Sequence, residues 1–253
     1  MYREQRIFVV IPAYNESAHI AGVVRGIPPW IDHVIVVDDG STDRTSELAR
    51  AEERQVTVIR HGFNQGVGAA ITAGYVRALE KGADVVAVMA GDGQMSPSEL
   101  ASLVDPVVDG IADYVKGDRT THPLVSARMP SWRRVGNAAL SRWTGWLTGY
   151  SLRDAQCGYT AIRASTLERL PLAALTRGYG YPNTLLLMLA EAGARVREIT
   201  VTPIYRGEHS GLTPLRALRT HGALMARATW HVFRARPAAD SALGANAKST
   251  VSR

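Results

Sequence analysis

The feature that most constrains the fold is an alternation of two sequence patterns over the first 118 residues. Short, β-branched and nearly continuous apolar runs predict buried strands at 7–13, 33–39, 55–61, 84–90 and 113–118. The stretches between them have helical spacing, at 16–27, 43–54, 67–81 and 97–109. Strands that alternate with helices in this way predict an α/β fold, with a mostly parallel central sheet flanked by helices.

The regular alternation of predicted strands and helices ends after Asp118. Residues 119–131 lack periodicity and predict a loop, and residues 132–149 predict an amphipathic helix. That helix carries three tryptophans, Trp132, Trp143 and Trp146. They could join a membrane surface, but their helical spacing favours packing in the core. Two further strands and a helix are predicted at 157–164, 194–204 and 181–192.

Three segments divide the chain: one large domain at 1–212, a basic amphipathic helix at 213–236 and a disordered Ala/Ser-rich tail at 237–253. Five arginines interleave with apolar residues in the middle segment, as in helices that lie on anionic membrane surfaces. The alternative is that this helix packs on the domain, or on the partner in a homodimer.

Composition narrows the functional classes. In 253 residues with 46% hydrophobic content there is no apolar run of about 18 residues, so we expect no spanning helix. The first apolar stretch breaks at Pro12, which indicates a strand and not a signal peptide. The single cysteine, Cys157, excludes an intramolecular disulfide and fits the reducing cytoplasm. A net charge of +6 predicts an anionic partner: a nucleotide, a lipid phosphate, a membrane surface or a nucleic acid.

Polar residues follow each of the first four predicted strands, where an open parallel sheet binds its ligands. The segments are Pro12–Glu16, Asp38–Ser41, His61–Gly66 and Gly91–Gln94. In the last one, Asp92 offers a carboxylate between two glycines, which suits a divalent cation held against a diphosphate. Taken alone, this motif fits an ordinary turn aspartate equally well. The chain has neither a G-x-G-x-x-G motif nor a P-loop.

Four ordered motifs, IPAYNE, VVDDGSTDRT, NQGVGAAITAG and VMAGDGQMSPSEL, resemble family 2 glycosyltransferases of the GT-A fold, especially the dolichyl- or polyprenyl-phosphate sugar synthases. The likeness spans roughly residues 6 to 211. It implies an enzyme with a nucleotide-sugar site and a Mg²⁺ or Mn²⁺ cofactor. The implied nucleotide-sugar residues are Pro12, Ala13, Tyr14, Glu16, Val37, Asp39, Gln65, Gly91 and Asp92. Asp92 and Gln94 are the implied metal ligands, and Asp92 is also the implied catalytic residue at the diphosphate.

One departure from the family pattern concerns this metal site. Relatives commonly carry Asp-x-Asp where this chain has Ala90-Gly91-Asp92, so the first acid is missing. With fewer anionic ligands, we expect weaker metal binding, unless Asp39 or a water takes the vacant place.

The second half of the chain determines the acceptor. The segment RDAQCGYTAIRA resembles the family's acceptor loop, with Asp154 at the place of a catalytic carboxylate. A hydroxyl acceptor needs a general base, for which Asp154 is the candidate, whereas a lipid phosphate needs cations and no base. The candidate phosphate-binding residues are Arg119, Arg133, Arg134 and Arg206. A solvated surface position fits any single one of them at least as well, but as a set they favour a phosphate. Arg206 matches the family's phosphate-binding arginine and is counted as catalytic.

The sequence therefore predicts an inverting hexosyltransferase, acting from a nucleotide-diphosphate sugar onto a polyprenyl or dolichyl phosphate. GDP-mannose and a uridine-linked glucose both fit as donors. The enzyme is expected on the cytoplasmic membrane face, as a peripheral protein. A soluble hydroxyl acceptor is the alternative. A basic nucleic-acid-binding module is a remote third reading, disfavoured by the acidic strand ends and by few aromatics among the basic residues.

Overall fold

The computed structural model describes residues 1–52, 54–123 and 131–204, with side chains from residue 134 in the last range. The strands are β1 (Ile7–Ala13), β2 (His33–Asp38), β3 (Val56–Arg60), β4 (Val85–Val88), β5 (Tyr114–Asp118), β6 (Thr160–Arg163) and β7 (Val196–Thr200). The α-helices are α1 (Ile20–Gly26), α2 (Thr45–Arg50), α3 (Val67–Glu80), α4 (Leu100–Val108), α5 (Ser131–Thr148), α6 (Ala164–Leu167) and α7 (Tyr181–Glu191). Short 3₁₀ helices lie at Pro97–Glu99 and Leu172–Ala174.

The seven strands form one sheet in the order β3-β2-β1-β4-β6-β5-β7. The pairs β1–β2, β2–β3, β1–β4 and β5–β7 are parallel, and only β6 runs against its neighbours. The predicted mostly parallel sheet with flanking helices is therefore confirmed. Because β6 is antiparallel to both β4 and β5, those two strands end at the same edge of the sheet.

Alternation along β1 separates two hydrophobic layers, one on each face of the sheet. Ile7, Val9 and Ile11 pack in the layer that includes residues of α1 and α4, while Phe8 and Val10 pack in the layer of α3 and α7. Coverage on both faces explains why the central strands read as continuous apolar runs. The edge strands β3 and β7 are only half-buried, so the prediction of a strand buried on both faces was wrong for the run at 55–61.

Several boundaries differ from the sequence expectations. Strand β4 ends at Val88 and not at residue 90, and β6 begins at Thr160 instead of residue 157. Among the described residues no helix is both long and apolar enough to cross a bilayer. The domain boundaries predicted at 212 and 236, and the C-terminal helix between them, lie outside the described residues and stay predictions.

The prediction of buried tryptophans on α5 was wrong for the two that the structure describes. Trp143 is 39% exposed and Trp146 is 51% exposed. The face of α5 that meets the protein carries polar residues instead, including the buried Ser141 and Thr144. The side chain of Trp132 lies outside the described part of the chain.

Replacement of two helical glycines by alanine is expected to change the stability of the fold in opposite directions. A Cβ atom on Gly74 of α3 would lie 2.2 Å from Cγ1 of Val10 on β1, whereas one on Gly22 of α1 would meet nothing within 4 Å. We expect Gly74→Ala to destabilise the fold by about 1–3 kcal/mol through overpacking. Gly22→Ala should stabilise it by about 0.5–1 kcal/mol through helix propensity. Urea unfolding of the two variants tests this pair, and equal effects would contradict the close packing of α3 on β1.

Candidate active site

The loops that follow β1 and β2 are joined into one scaffold by side-chain hydrogen bonds. The backbone amide of Asn15 donates to Oγ of Ser41 (2.9 Å), and the amide of Thr42 donates back to Oδ1 of Asn15 (2.9 Å). The amide of Glu16 donates to Oγ1 of Thr45 (2.8 Å). Asn15 has a φ of +56°, a left-handed conformation that asparagine tolerates better than most residues. These contacts hold the predicted nucleotide-binding segment, residues 12–16, against the loop after β2.

Asp39 ties a third loop to this scaffold. It is 3% exposed, and its Oδ1 accepts hydrogen bonds from Nδ1 of His61 (2.7 Å) and the amide of Gln65 (2.9 Å). Its Oδ2 accepts from the amide of Gly66 (2.7 Å). Since a carboxylate has about four acceptor positions, these three bonds use most of its capacity. Asp39 thus fixes the loop at 61–66, and its implied contact with a ribose stays a prediction.

The turn that carries Asp92 lies directly against the end of β1. The amide of Gly91 donates to the carbonyl of Pro12 (3.2 Å), and a Cβ at Gly91 would lie 3.1 Å from Cβ of Ala13. Oδ1 of Asp92 accepts from the amide of Gln94 (2.9 Å), which fixes the carboxylate over its own turn. The predicted Pro12, Ala13, Gly91 and Asp92 are therefore brought together.

The donor set at this turn fits a hard divalent cation. Asp92 and Gln94 supply carboxylate and amide oxygens, and no described group of three or more His, Cys, Asp or Glu side chains forms a fuller cage. Magnesium usually keeps several waters and is bound through one or two carboxylates together with substrate phosphates. One carboxylate and one amide next to a diphosphate are compatible with this mode of coordination.

A second polar cluster centres on Asp154, which is fully buried in the loop before β6. Its carboxylate accepts from Nε (2.7 Å) and Nη2 (3.0 Å) of Arg119, and from Nδ2 of Asn137 (3.1 Å). Its backbone carbonyl accepts from Nζ of the buried Lys116, which also donates to the carbonyl of Cys157 (3.2 Å). Arg119 is thereby held in a bidentate ion pair with Asp154, and its side chain is 31% exposed.

The electrostatics of this cluster favour an ionised Asp154. Burial alone would raise the pKa of Asp154, but the charge and hydrogen bonds of Arg119, with the charge of Lys116, lower it to about 2. Glu198 on β7 holds the same loop through its carboxylate, which accepts from the amides of Arg153 (2.7 Å) and Asp154 (3.0 Å). Burial raises the pKa of Glu198.

The two clusters occupy one edge of the sheet. Thr160 of β6 pairs with Val88 of β4 on one side and with Lys116 of β5 on the other. Asp92 follows Val88 by four residues and Arg119 follows Lys116 by three. Because neighbouring strands are about 4.8 Å apart, β4 and β5, which flank β6, lie roughly 10 Å apart along this edge.

The remaining predicted residues divide into three groups. Tyr14 is 45% exposed at the rim and Arg134 is exposed on α5, so both side chains reach the surface. Val37 is fully buried in β2, and its side chain belongs to the core. Arg206 and the side chain of Arg133 lie outside the described residues. The described chain returns close to the metal turn, since the amide of Ile204 donates to the carbonyl of Gln94 (3.3 Å).

Sequence reasoning missed three residues that surround Asp154: Lys116, Asn137 and Glu198. Lys116 had a usable signal, because a lysine inside an apolar strand must find partners when it is buried. Asn137 and Glu198 had none, since their partner lies 17 and 44 residues away along the chain.

A mostly parallel sheet with polar clusters at the carboxyl ends of its strands has the arrangement in which open α/β enzymes bind their ligands. The profile described as Glycosyl transferase family 2 matches residues 8–168. The chain belongs to this family and is a glycosyltransferase, which confirms the resemblance found in the sequence.

Two relatives and one solved structure illustrate the likeness. The UDP-N-acetylglucosamine–dolichyl-phosphate N-acetylglucosaminyltransferase of Methanococcus voltae is 31% identical over 80% of this chain and 87% of its own length. The polyprenol monophosphomannose synthase of Mycolicibacterium smegmatis is 33% identical over 90% and 88%. The glucosyl-3-phosphoglycerate synthase of Mycobacterium tuberculosis, solved with Mn²⁺, UDP and phosphoglyceric acid, superposes with a TM-score of 0.65 at 22% identity, covering 90% of this chain and 78% of that one. This last likeness concerns the fold, and it confirms the GT-A expectation.

Proposed function

We propose that this enzyme transfers a sugar, with inversion, from a nucleotide-diphosphate sugar to a polyprenyl phosphate. The observation that carries the choice of acceptor is the buried ion pair between Asp154 and Arg119. A carboxylate with a pKa of about 2, already accepting from an arginine, is a weak base for deprotonating a hydroxyl. A phosphate acceptor needs no base, but it needs a cation where it approaches the donor diphosphate.

In this mechanism an oxygen of the acceptor phosphate attacks the anomeric carbon as the bond from that carbon to the donor diphosphate breaks. Arg119, held in place by Asp154, offsets the repulsion between the two phosphate groups. Asp92 and Gln94 would hold a Mg²⁺ or Mn²⁺ ion, which neutralises charge on the departing diphosphate when bound. The segments after β1, β2 and β3 would hold the nucleoside. Arg133, Arg134 and Arg206 are proposed to add positive charge around the acceptor.

The names of the relatives support a lipid-phosphate acceptor. They give two candidates for the transferred sugar, mannose and N-acetylglucosamine. A lipid acceptor also places the enzyme at a membrane surface, and we propose the cytoplasmic face because nucleotide sugars and a reducing environment meet there. The basic segment at 213–236 and a homodimer stay predictions from the sequence.

The acceptor assignment is tested with matched acceptors. Purified enzyme is incubated with Mg²⁺ or Mn²⁺, a panel of GDP-mannose, UDP-glucose and UDP-N-acetylglucosamine, and either a short-chain prenyl phosphate, the corresponding prenol or 3-phosphoglycerate. We expect one donor to yield a prenyl-phosphate sugar, with turnover at least about 100-fold above that for either hydroxyl acceptor, because Asp154, already paired with Arg119, is a weak base. The products are identified by mass spectrometry. Preferential transfer to the prenol or to 3-phosphoglycerate would overturn the proposal.

A further inference from the structure

Helix α5 is amphipathic in the inverted sense. Its inward positions recur at i, i+4, i+7 and i+11 and are all polar: Asn137, Ser141, Thr144 and Thr148. Its exposed positions include the apolar residues Val135, Ala138, Ala139, Trp143 and Trp146 together with Arg134 and Arg142, while Leu140 and Leu147 are half-buried beside the polar positions. A helix of a water-soluble domain normally places these two classes the other way round.

The inward side chains are held by specific hydrogen bonds, so the orientation of the helix is well determined. Oγ of Ser141 accepts from the amide of Ala155 (2.8 Å). Oγ1 of Thr144 accepts from Nδ2 of the buried Asn183 on α7 (2.6 Å). Nδ2 of Asn137 donates to Asp154, as described above. Turning the helix to bury its tryptophans would break all three contacts and leave buried polar groups without partners.

The outward face is correspondingly apolar. Val135 is 69% exposed and Trp143 is 39% exposed, and Ala138 and Ala139 between them are also exposed. Arg142 is exposed on the same face, and the helix contains no acidic residue from 131 to 148. Tryptophan with arginine on an apolar surface is the combination found where proteins meet lipid headgroups.

We propose that the outward face of α5 docks onto an anionic lipid bilayer. The choice of partner rests in part on the proposed lipid-linked acceptor, because the inward face of the same helix contacts Asp154 and so adjoins the site of Arg119. Charge complementarity supports the same partner. The alternative partner is a second copy of the chain. In a symmetric dimer formed through this face, Arg142 of one copy would lie near Arg142 of the other, and the helix has no acid to pair with either. The segment 213–236 likewise carries five arginines and no acid, so its sequence offers no carboxylate to pair with Arg142.

The test compares two double variants of the full chain in sedimentation with vesicles of phosphatidylcholine, alone or mixed with phosphatidylglycerol. No donor or acceptor is added. Val135→Ser with Trp143→Ser should lower the affinity for the mixed vesicles by at least about tenfold. The control, Val76→Ser with Ile111→Ser, removes apolar side chains that are 42% and 48% exposed elsewhere and should change it less than twofold. Arg142→Gln should lower binding to the mixed vesicles about fivefold and leave binding to phosphatidylcholine unchanged.

Activity on a short-chain prenyl phosphate in solution separates this inference from the proposed function. The Val135/Trp143 variant should retain that activity within about twofold, since both side chains are exposed, whereas Asp154 is fully buried. Suppose that neither the wild type nor the variants use the prenyl phosphate, while vesicle binding still depends on Val135 and Trp143. The docking surface would then be supported and the proposed acceptor would be refuted. Unchanged vesicle binding overturns the docking surface. So does a dimer that dissociates in the double variant, or a fall of several degrees in its Tm, because either shows that protein covers this face.

Discussion

Replacing Asp92 with alanine is expected to lower kcat by about 100- to 1000-fold without unfolding the protein. Asp92 is the single acid in the turn after β4, and its proposed partner in holding a cation, Gln94, is uncharged. Losing it removes the charge that anchors the metal-bound diphosphate as that group departs. The fold should survive, because the turn is joined to β1 through the backbone of Gly91 and not through the carboxylate. Steady-state rates across a Mg²⁺ and Mn²⁺ titration, with a Tm for each variant, provide the measurement.

The matched control for Asp92 restores the acid that relatives carry. Ala90→Asp adds a second carboxylate to the same turn, and we expect it to lower the metal concentration for half-maximal activity by about tenfold. The backbone amide of Ala90 donates to Sδ of Met95 (3.2 Å) and is unaffected by the substitution. An Asp92→Ala enzyme that keeps its metal-dependent turnover would show that the cation is held elsewhere.

The sheet could be predicted from the sequence because its central strands are buried on both faces. Each such strand is a short apolar run, and polar residues begin where the strand leaves the core, as at Asp38 and Gly91. The four strand-end motifs therefore indicate the edge of the sheet at which the candidate site lies. The antiparallel direction of β6 was not predictable in this way, since a four-residue apolar strand reads the same in either direction.

Helix α5 and the Asp154 cluster show why the rest could not be predicted. Periodicity locates the two faces of α5 but does not say which one meets the protein, and the assumption that the apolar face is buried was wrong here. The contacts of Asp154 join residues from β5, α5 and β7, so they exist only once the sheet is assembled. The described hydrogen bonds to the carboxylate of Asp154, the candidate base for a hydroxyl acceptor, all stabilise its ionised form.

Replacing Asp154 with asparagine should raise the acceptor KM by about 10- to 100-fold and leave the donor KM unchanged. The substitution removes the negative partner that positions Arg119, and the charge-assisted hydrogen bonds concerned are each worth about 1.5–3 kcal/mol. Stability should fall as well, by about 3–5 kcal/mol at pH 7, because Arg119 and Lys116 then lack a buried counter-charge. Kinetics with the prenyl phosphate varied at saturating donor, and the reverse, separate the two KM values.

The pH dependence of stability gives this prediction a second readout. The ordinary pKa near 3.8 falls to about 2 in the folded protein, so ionised Asp154 contributes about 2 kcal/mol at neutral pH. That contribution is present above pH 4 and is lost as the pH falls toward 2. The gap in unfolding free energy between the wild type and Asp154→Asn should therefore narrow over this window.

Asp113 is the matched control for Asp154, because it combines a similar titration with a position away from the acceptor. Hydrogen bonds from Arg195 outweigh a smaller opposing effect of burial and hold the pKa of Asp113 at about 2 as well. This residue precedes β5, at the opposite end of the strand from Arg119. The difference in unfolding free energy between the wild type and Asp113→Asn should also narrow at acid pH. Both KM values should stay within about twofold of the wild type. If it raised the acceptor KM as much as Asp154→Asn does, the effect would reflect general loosening of the fold, and the positioning of Arg119 by Asp154 would be refuted.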